Sequence, residues 1–303
     1  MGKYILKRLG LAVLTLVIVS AITFFAMNAI PGGPFTSEKT LSASVEAALR
    51  ARYNLDLPVW QQYLIYMRNL IQGDWGVSLN DGRDIWPTIS ARFAVSAQIG
   101  FRAALIAIAV GVVLGCTAAL NRNKWPDRVI VFTTTFFTAM PSFVFATLLL
   151  LIFCTKLGWF EVWSATSTNY TLPIIALAAY PMAYITRLTK TAMLDALGQD
   201  YVRTARAKGV AQVFVVFKHA LRNALIPVVT YVGPMFAGIL TGSMVVESIF
   251  TIGGLGSEFV SSITNRDYTM IMGTTMFFAS LMVAASLITD IVYKFIDPRI
   301  KLG

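Results

Sequence analysis

One histidine and two cysteines are spread over 303 residues, too few for a clustered metal site or a disulfide framework. Charge is scarce as well. Asp, Glu, Lys and Arg make up 13% of the chain, about half the ~25% of a soluble domain. With 56% hydrophobic residues and a mean hydropathy of +0.68, too little polar surface is left to wrap a water-soluble core of this size. The same figures exclude disorder, collagen and a small disulfide scaffold. No Gly-x-x-x-x-Gly-Lys-Ser/Thr occurs, and the only Gly-Lys pair is Gly2-Lys3, so a phosphate-cradling P-loop is absent. Gly253-Gly254-Leu255-Gly256 fails the dinucleotide fingerprint, because Phe259 stands where its third glycine belongs. Neither His-Glu-x-x-His nor Gly-x-Ser-x-Gly is found, which removes metalloprotease and elbow-serine chemistry.

What remains is a chain for a lipid bilayer. A spanning helix needs about 20 mostly apolar residues, and six stretches qualify: Leu9–Ile30, Ile99–Leu120, Val129–Phe153, Leu172–Thr186, Leu225–Val246 and Thr269–Thr289. The fourth is short, contains Pro181 and ends at Arg187. The first, at 22 residues, exceeds the roughly 7–15 of a signal-peptide core, so an uncleaved anchor is expected. The predicted fold is all-α, with six transmembrane helices.

The net charge of +10 points to cytoplasmic loops rather than nucleic acid. With the N-terminus inside, 16 of the 25 basic and five of the 15 acidic residues fall on the inner side, giving +11 there and −1 outside. Both termini are therefore expected in the cytoplasm. Cys116 and Cys154 then lie on opposite sides of the bilayer and cannot pair. Arg102, Arg187 and Asp290 fall near helix ends, where they can stay wet. Nothing titratable sits at mid-depth, which disfavours an ion-coupled secondary transporter and a charged-ring channel.

The expected organisation is an N-terminal end and first span (1–30), an extracytoplasmic segment (31–98) and a five-helix core (99–303) with an inner loop at 187–222. In the outer segment Trp60, Tyr63, Leu64, Met67, Leu70 and Ile71 share helical spacing, as in an amphipathic helix lying on the membrane surface or packed on other helices. Gly111-Val112-Val113-Leu114-Gly115 and Gly238-Ile239-Leu240-Thr241-Gly242 are both Gly-x-x-x-Gly, suited to close helix approach within the chain or at a subunit interface. Thr133, Thr134, Thr135, Thr138 and Ser142 surround Pro141 in the third span. Their hydroxyls either bond back to carbonyls or line a substrate path. Thr134, Thr138, Ser142 and Ser243 are the candidate path residues.

In the inner loop, Asp200-Tyr201-Val202-Arg203-Thr204-Ala205-Arg206-Ala207-Lys208-Gly209 reads as a short helix. Asp200 is expected to cap it and Gly209 to end it in the left-handed conformation. A second helical stretch is expected over Gln212–Leu221. As a plain basic loop, this segment would explain the charge but not the alanines and the placed glycine.

Here the sequence resembles the inner-membrane permeases of ATP-binding-cassette importers. Their general cytoplasmic pattern is Glu-Ala-Ala, three residues, Gly, nine residues, then Ile-x-Leu-Pro. Anchored on Gly209, only Ala205, Gly209 and Leu221 keep to it. The departures, Arg203-Thr204-Ala205-Arg206-Ala207-Lys208-Gly209 and His219-Ala220-Leu221-Arg222-Asn223, look like the oligopeptide/dipeptide/nickel branch. Further matching stretches are Pro31-Gly32-Gly33-Pro34-Phe35-Thr36, Gly73-Asp74-Trp75-Gly76, Pro141-Ser142-Phe143, Gly242-Ser243-Met244-Val245-Val246-Glu247, Gly253-Gly254-Leu255-Gly256, Asn265-Arg266-Asp267-Tyr268 and Asp297-Pro298-Arg299. Together they look most like the B-type permease of oligopeptide importers.

The resemblance implies a multi-pass subunit of a bacterial inner membrane that passes oligopeptides, or else dipeptides, nickel or another small solute. It implies a second homologous permease, two ATPase subunits carrying ATP and Mg, and an extracytoplasmic peptide-binding protein. No cofactor is expected on this chain. Arg203, Thr204, Ala205, Arg206, Ala207, Lys208, Gly209 and His219 would form the coupling element, with Ala205 facing a tight ATPase groove.

Overall fold

A computed structural model describes residues 2–31, 33, 55–162 and 169–296. Pro34-Phe35-Thr36 and Asp297-Pro298-Arg299 lie outside them. The described residues are helical, with one isolated bridge, Val77 to Asp84. The helices are α1 (Gly2–Ala29), α2 (Val59–Ile71), α3 (Ile85–Leu120), α4 (Trp125–Ala139), α5 (Ser142–Leu149), α6 (Thr171–Leu197), α7 (Asp200–Ala207), α8 (Arg222–Gly242), α9 (Met244–Ile249), α10 (Leu255–Thr264) and α11 (Tyr268–Ile296). Five stretches are long and apolar enough to cross a membrane, namely Leu6–Ala29, Ile85–Leu120, Thr171–Leu197, Gln212–Ile249 and Tyr268–Thr289.

The remaining apolar run is broken. α4 and α5, the latter continued by wide π-helical turns over Leu150–Lys156, meet at 104°. One helix over Val129–Phe153, kinked at Pro141, was the expectation; the break falls at that proline and goes further than a kink. Proline lacks the N–H the helix needs and pushes the residue before it into extended backbone. Met140 accordingly sits at φ −81°, ψ 125°, and its N–H closes α4 on Phe136 O at 3.0 Å. α6 departs in the other direction, running through Pro181 and well past Arg187. Its extension buries Met193 and Ala196 against Ala119, Val216, Ala220 and Ala224, and this apolar stripe carries the helix beyond the bilayer-length run.

The chain divides into two compact units. Among the described residues, the first takes in the chain up to Val95 and Gly253–Ala284. In it α2 is amphipathic, as expected: Tyr63 and Tyr66 pack on Phe24 of α1, and Tyr63 Oη lies 2.9 Å from Ser20 Oγ. Trp60, Leu64 and Ile71, on the adjoining face of the same helix, are exposed, so packing and an outward apolar face coexist. Asp267 organises the loops of this unit. Its Oδ1 accepts the N–H groups of Met270 and Leu79, each at 3.2 Å, and its Oδ2 accepts Ser78 Oγ–H at 2.5 Å. The Met270 bond is an N-cap on α11, and the other two fasten the loop after α2 to it. Gly73 (φ +85°) and Gly76 (φ +78°) take left-handed turns around Asp74, whose Oδ1 accepts Gly76 N–H at 2.9 Å.

The second unit takes in the described residues of Ser96–Ile252 and those from Ala285 to Ile296. An added Cβ at Gly111 would lie 2.8 Å from Ile185 Cγ2, and one at Gly115 would lie 2.7 Å from Thr186 O. That glycine pair is spent on α3 packing against α6 within this chain, not on a subunit interface. Lys190 donates to Asp127 Oδ1 at 2.5 Å, while Asn123 N–H donates to Oδ2 at 3.0 Å. The first bond ties the start of α4 to α6, and the second holds the turn between α3 and α4 on the same carboxylate.

Candidate functional site: an uncharged cavity and a basic loop helix

α5, α6, α8 and α9, with the bend after α4, enclose a cavity of about 560 Å³ in the second unit. Its described lining carries no Asp, Glu, Lys, Arg or His. Polar character comes from the hydroxyls of Thr138, Ser142, Tyr180 and Tyr231, and three prolines, Pro141, Pro181 and Pro234, line the same space. Helix-breaking residues are tolerated at membrane depth where neighbouring elements or a cavity satisfy the freed backbone groups. Tyr184, one turn beyond Tyr180, stacks on Tyr231 with ring centroids 4.3 Å apart.

Of the four candidate path residues, Thr138 and Ser142 reach this cavity. Thr134 is buried, with its hydroxyl bonded to Val131 O at 3.0 Å. Thr138 also bonds back, to Thr134 O and Thr135 O at 3.0 Å each, so back-bonding and lining both hold for it. Ser243 is buried and donates to Glu247 Oε1 at 2.5 Å; Ser96 donates to the same oxygen at 2.6 Å. Glu247 itself is fully buried, although the charge count placed it in an outer loop. Tyr180, Tyr231, Pro181 and Pro234 were not singled out for the path. The available signal was the coincidence of breakers and hydroxylated rings inside apolar runs.

α7 forms where the basic motif placed it, with two differences. Gln199, not Asp200, is the residue before the first turn, and no side chain caps it. Asp200 is the first helical residue and pairs with Arg203 at 3.6 Å on the surface. The other end keeps to expectation: Gly209 takes φ +75°. Gly209 N–H bonds Arg206 O at 3.0 Å and Val210 N–H bonds Ala205 O at 3.2 Å. That bond pair is a Schellman motif, and its companion apolar contact, Val210 on Ala205, is present too.

Ala205 is consequently only 7% exposed, covered by Val202, Val210 and Val215. The expectation that its methyl faces outward into a groove is corrected: the small side chain serves the cap and the loop's own core. Arg203, Thr204, Arg206, Ala207, Lys208 and Gly209 are exposed, and His219 is half-buried. Alongside them Val213, Phe214 and Phe217 are exposed. The Gln212–Leu221 stretch is helical, mostly as π-helical turns over Val215–Leu221.

With this geometry in hand, the chain can be compared with known proteins. Residues 111–302 match the family described as binding-protein-dependent transport system inner membrane component, and residues 1–100 match its N-terminal part. The chain belongs to this family. It is 41% identical to the dipeptide transport system permease protein DppB of Bacillus subtilis, over 100% of this chain and 99% of that one. It is 40% identical to the oligopeptide transport system permease protein OppB of Haemophilus influenzae, over 99% and 100%. Among solved structures, an amino acid ABC transporter aligns with a TM-score of 0.58 at 16% identity, covering 69% of this chain and 94% of that one. The methionine ABC transporter MetNI, in an inward-facing form, aligns at 0.55 and 15%, covering 69% and 96%. The fold is that of ABC importer permeases. The chain is a multi-pass inner-membrane permease subunit and not itself an enzyme.

Proposed function

We propose that this permease passes oligopeptides across the inner membrane. The observation that carries the reading is end-to-end similarity, near 40%, to permeases named for peptide transport. The uncharged cavity supports it, because a lining without fixed charge suits substrates whose side chains vary in sign. The partners are a second homologous permease, two ATPase subunits that hold ATP and Mg, and an extracytoplasmic peptide-binding protein. α7 is the coupling element. Its exposed Arg203, Arg206 and Lys208, beside Phe214 and Phe217, offer charge and apolar area to an ATPase. The charge asymmetry between loops favours cytoplasmic termini.

Dipeptide import is the second reading, favoured by the 41% identity to the Bacillus protein. Uptake of labelled trialanine, competed by unlabelled dialanine or pentaalanine in cells without other peptide importers, separates the two. Competition by pentaalanine supports oligopeptides, and competition by dialanine alone supports dipeptides. Failure of the native complex to take up any of the three would overturn the peptide reading.

A further inference from the structure

The cavity in the second unit combines two features that neither hydropathy nor charge explains. The first is the position of the prolines. Pro181 lies inside α6, and a proline has no N–H to give the carbonyl four residues before it. That carbonyl belongs to Leu177, and both Leu177 and Pro181 line the cavity. Leu177 O thus lacks its ordinary helical donor, on a residue that lines the cavity.

The second feature is the face beside it. Tyr180 is 49% exposed and Tyr184, one turn on, is 41% exposed, in the apolar part of the helix and next to Tyr231. A phenol hydroxyl facing hydrocarbon has no partner there, whereas one facing a wet cavity can donate to a passing group. A peptide bond presents one N–H and one C=O. A wall offering a backbone acceptor beside tyrosine and serine hydroxyls, with no fixed charge, complements that pair and is indifferent to side-chain charge.

We propose that the cavity engages its substrate through main-chain amide groups, with Leu177 O accepting a substrate N–H and the hydroxyls of Tyr180 and Tyr231 donating to substrate carbonyls. The proposal rests on the peptide reading above and names how that substrate is held. Recognition of this kind is sequence-tolerant, because every peptide carries the same main chain and differences in side-chain charge find nothing to read in this wall.

The test uses the assembled transporter, with its ATPases and binding protein, and labelled trialanine as probe. Pro181→Ala and Pro181→Gly both restore an N–H that closes on Leu177 O, and alanine also strengthens the helix. Both variants should co-purify with the ATPases at native yield. Uptake should fall about threefold to tenfold in each, the size of one lost hydrogen bond. Tyr180→Phe with Tyr231→Phe should give a further loss of similar size.

If the glycine variant transports as the native chain does while the alanine variant does not, Pro181 is a hinge and the proposal is wrong. Native uptake in both proline variants also overturns it, and so does loss of ATPase co-purification in both, which would make the residue structural. Absence of trialanine uptake by the native complex would instead sink the peptide reading itself, and this inference with it.

Discussion

The two Gly-x-x-x-Gly stretches look alike in the sequence, yet Gly115 of one and Gly238 of the other meet opposite surroundings in the fold. On α3, Gly111 and Gly115 face the backbone of α6, and a Cβ at Gly115 would stand 2.5 Å from Thr189 Cβ. On α8, a Cβ at Gly238 would meet nothing within 4 Å, and that residue lines the cavity. The pattern reports that a side chain is missing, but not what occupies the place. In one helix a neighbouring backbone fills it, and in the other it is open space. The tight glycine on α8 is Gly233, whose added Cβ would lie 2.8 Å from Thr289 Cβ, and no motif marks it. The same split separates α7 from the turn that ends it: Ala205 is covered, and Gly209, just past the helix, stands open.

The largest effect should come from Gly115. Replacing it with leucine asks α3 to move off a carbonyl at 2.7 Å. Overpacking of a well-filled core costs about 1–3 kcal/mol and sometimes more, and a backbone atom cannot rotate away as a side chain can. Gly115→Leu should leave little monodisperse protein on size exclusion in detergent. A native-like yield and unfolding midpoint would mean that α3 and α6 are not in close contact.

Next in size is Ala205→Glu, which places a carboxylate among Val202, Val210 and Val215. A buried charge without a partner is strongly unfavourable because it loses its hydration, so the loop should open and release its α-helical cap. Limited proteolysis should show new cutting between Asp200 and Leu221, with the spanning helices intact and uptake lost. Uptake lost without any new cutting would restore the view that Ala205 meets a partner directly.

Gly209→Val is smaller, because space is open and only backbone conformation resists. A left-handed φ of +75° costs an L-residue about 1–2 kcal/mol, more for a β-branched one. Uptake should drop while the unfolding midpoint of the whole complex barely moves, since α7 packs in a small apolar cluster of the loop itself, with Val202, Ala205, Val210 and Val215. Gly209→Asn should recover part of the activity, because asparagine tolerates that region better.

These contrasts show what was legible beforehand and what was not. Six apolar runs could be read directly, since bilayer thickness dictates length and composition dictates burial. The end of α7 could be read too, because a Schellman cap needs a residue that accepts positive φ. The bend at Pro141 was signalled, but its 104° depends on which helices receive α5. Thr134 and Thr138 are one turn apart and chemically identical, yet one is buried and the other lines the cavity. Side-chain chemistry cannot make that choice, and neither can azimuth, since residues four apart share a face; the level along α4, next to the bend at Pro141, opens Thr138 to the cavity. Glu247 was misplaced for a related reason: a carboxyl counts as loop charge until two serine hydroxyls are seen to bury it.

The smallest effect, and the one that most sharpens the comparison, is expected at Gly238. Glycine inside a helix costs about 0.5–1 kcal/mol relative to alanine, because it loses more backbone freedom on folding. At Gly115 that gain is overwhelmed by collision. At Gly238 nothing stands within 4 Å to collide, so Gly238→Ala should raise the unfolding midpoint slightly or leave it unchanged. The new methyl enters the cavity and removes some of its volume. Uptake should therefore fall modestly, and more for long peptides than for short ones, while stability does not fall. A clear loss of stability in Gly238→Ala would show that something packs on this face in the assembled complex. The second glycine pair would then be an interface after all, and the contrast between the two helices would close.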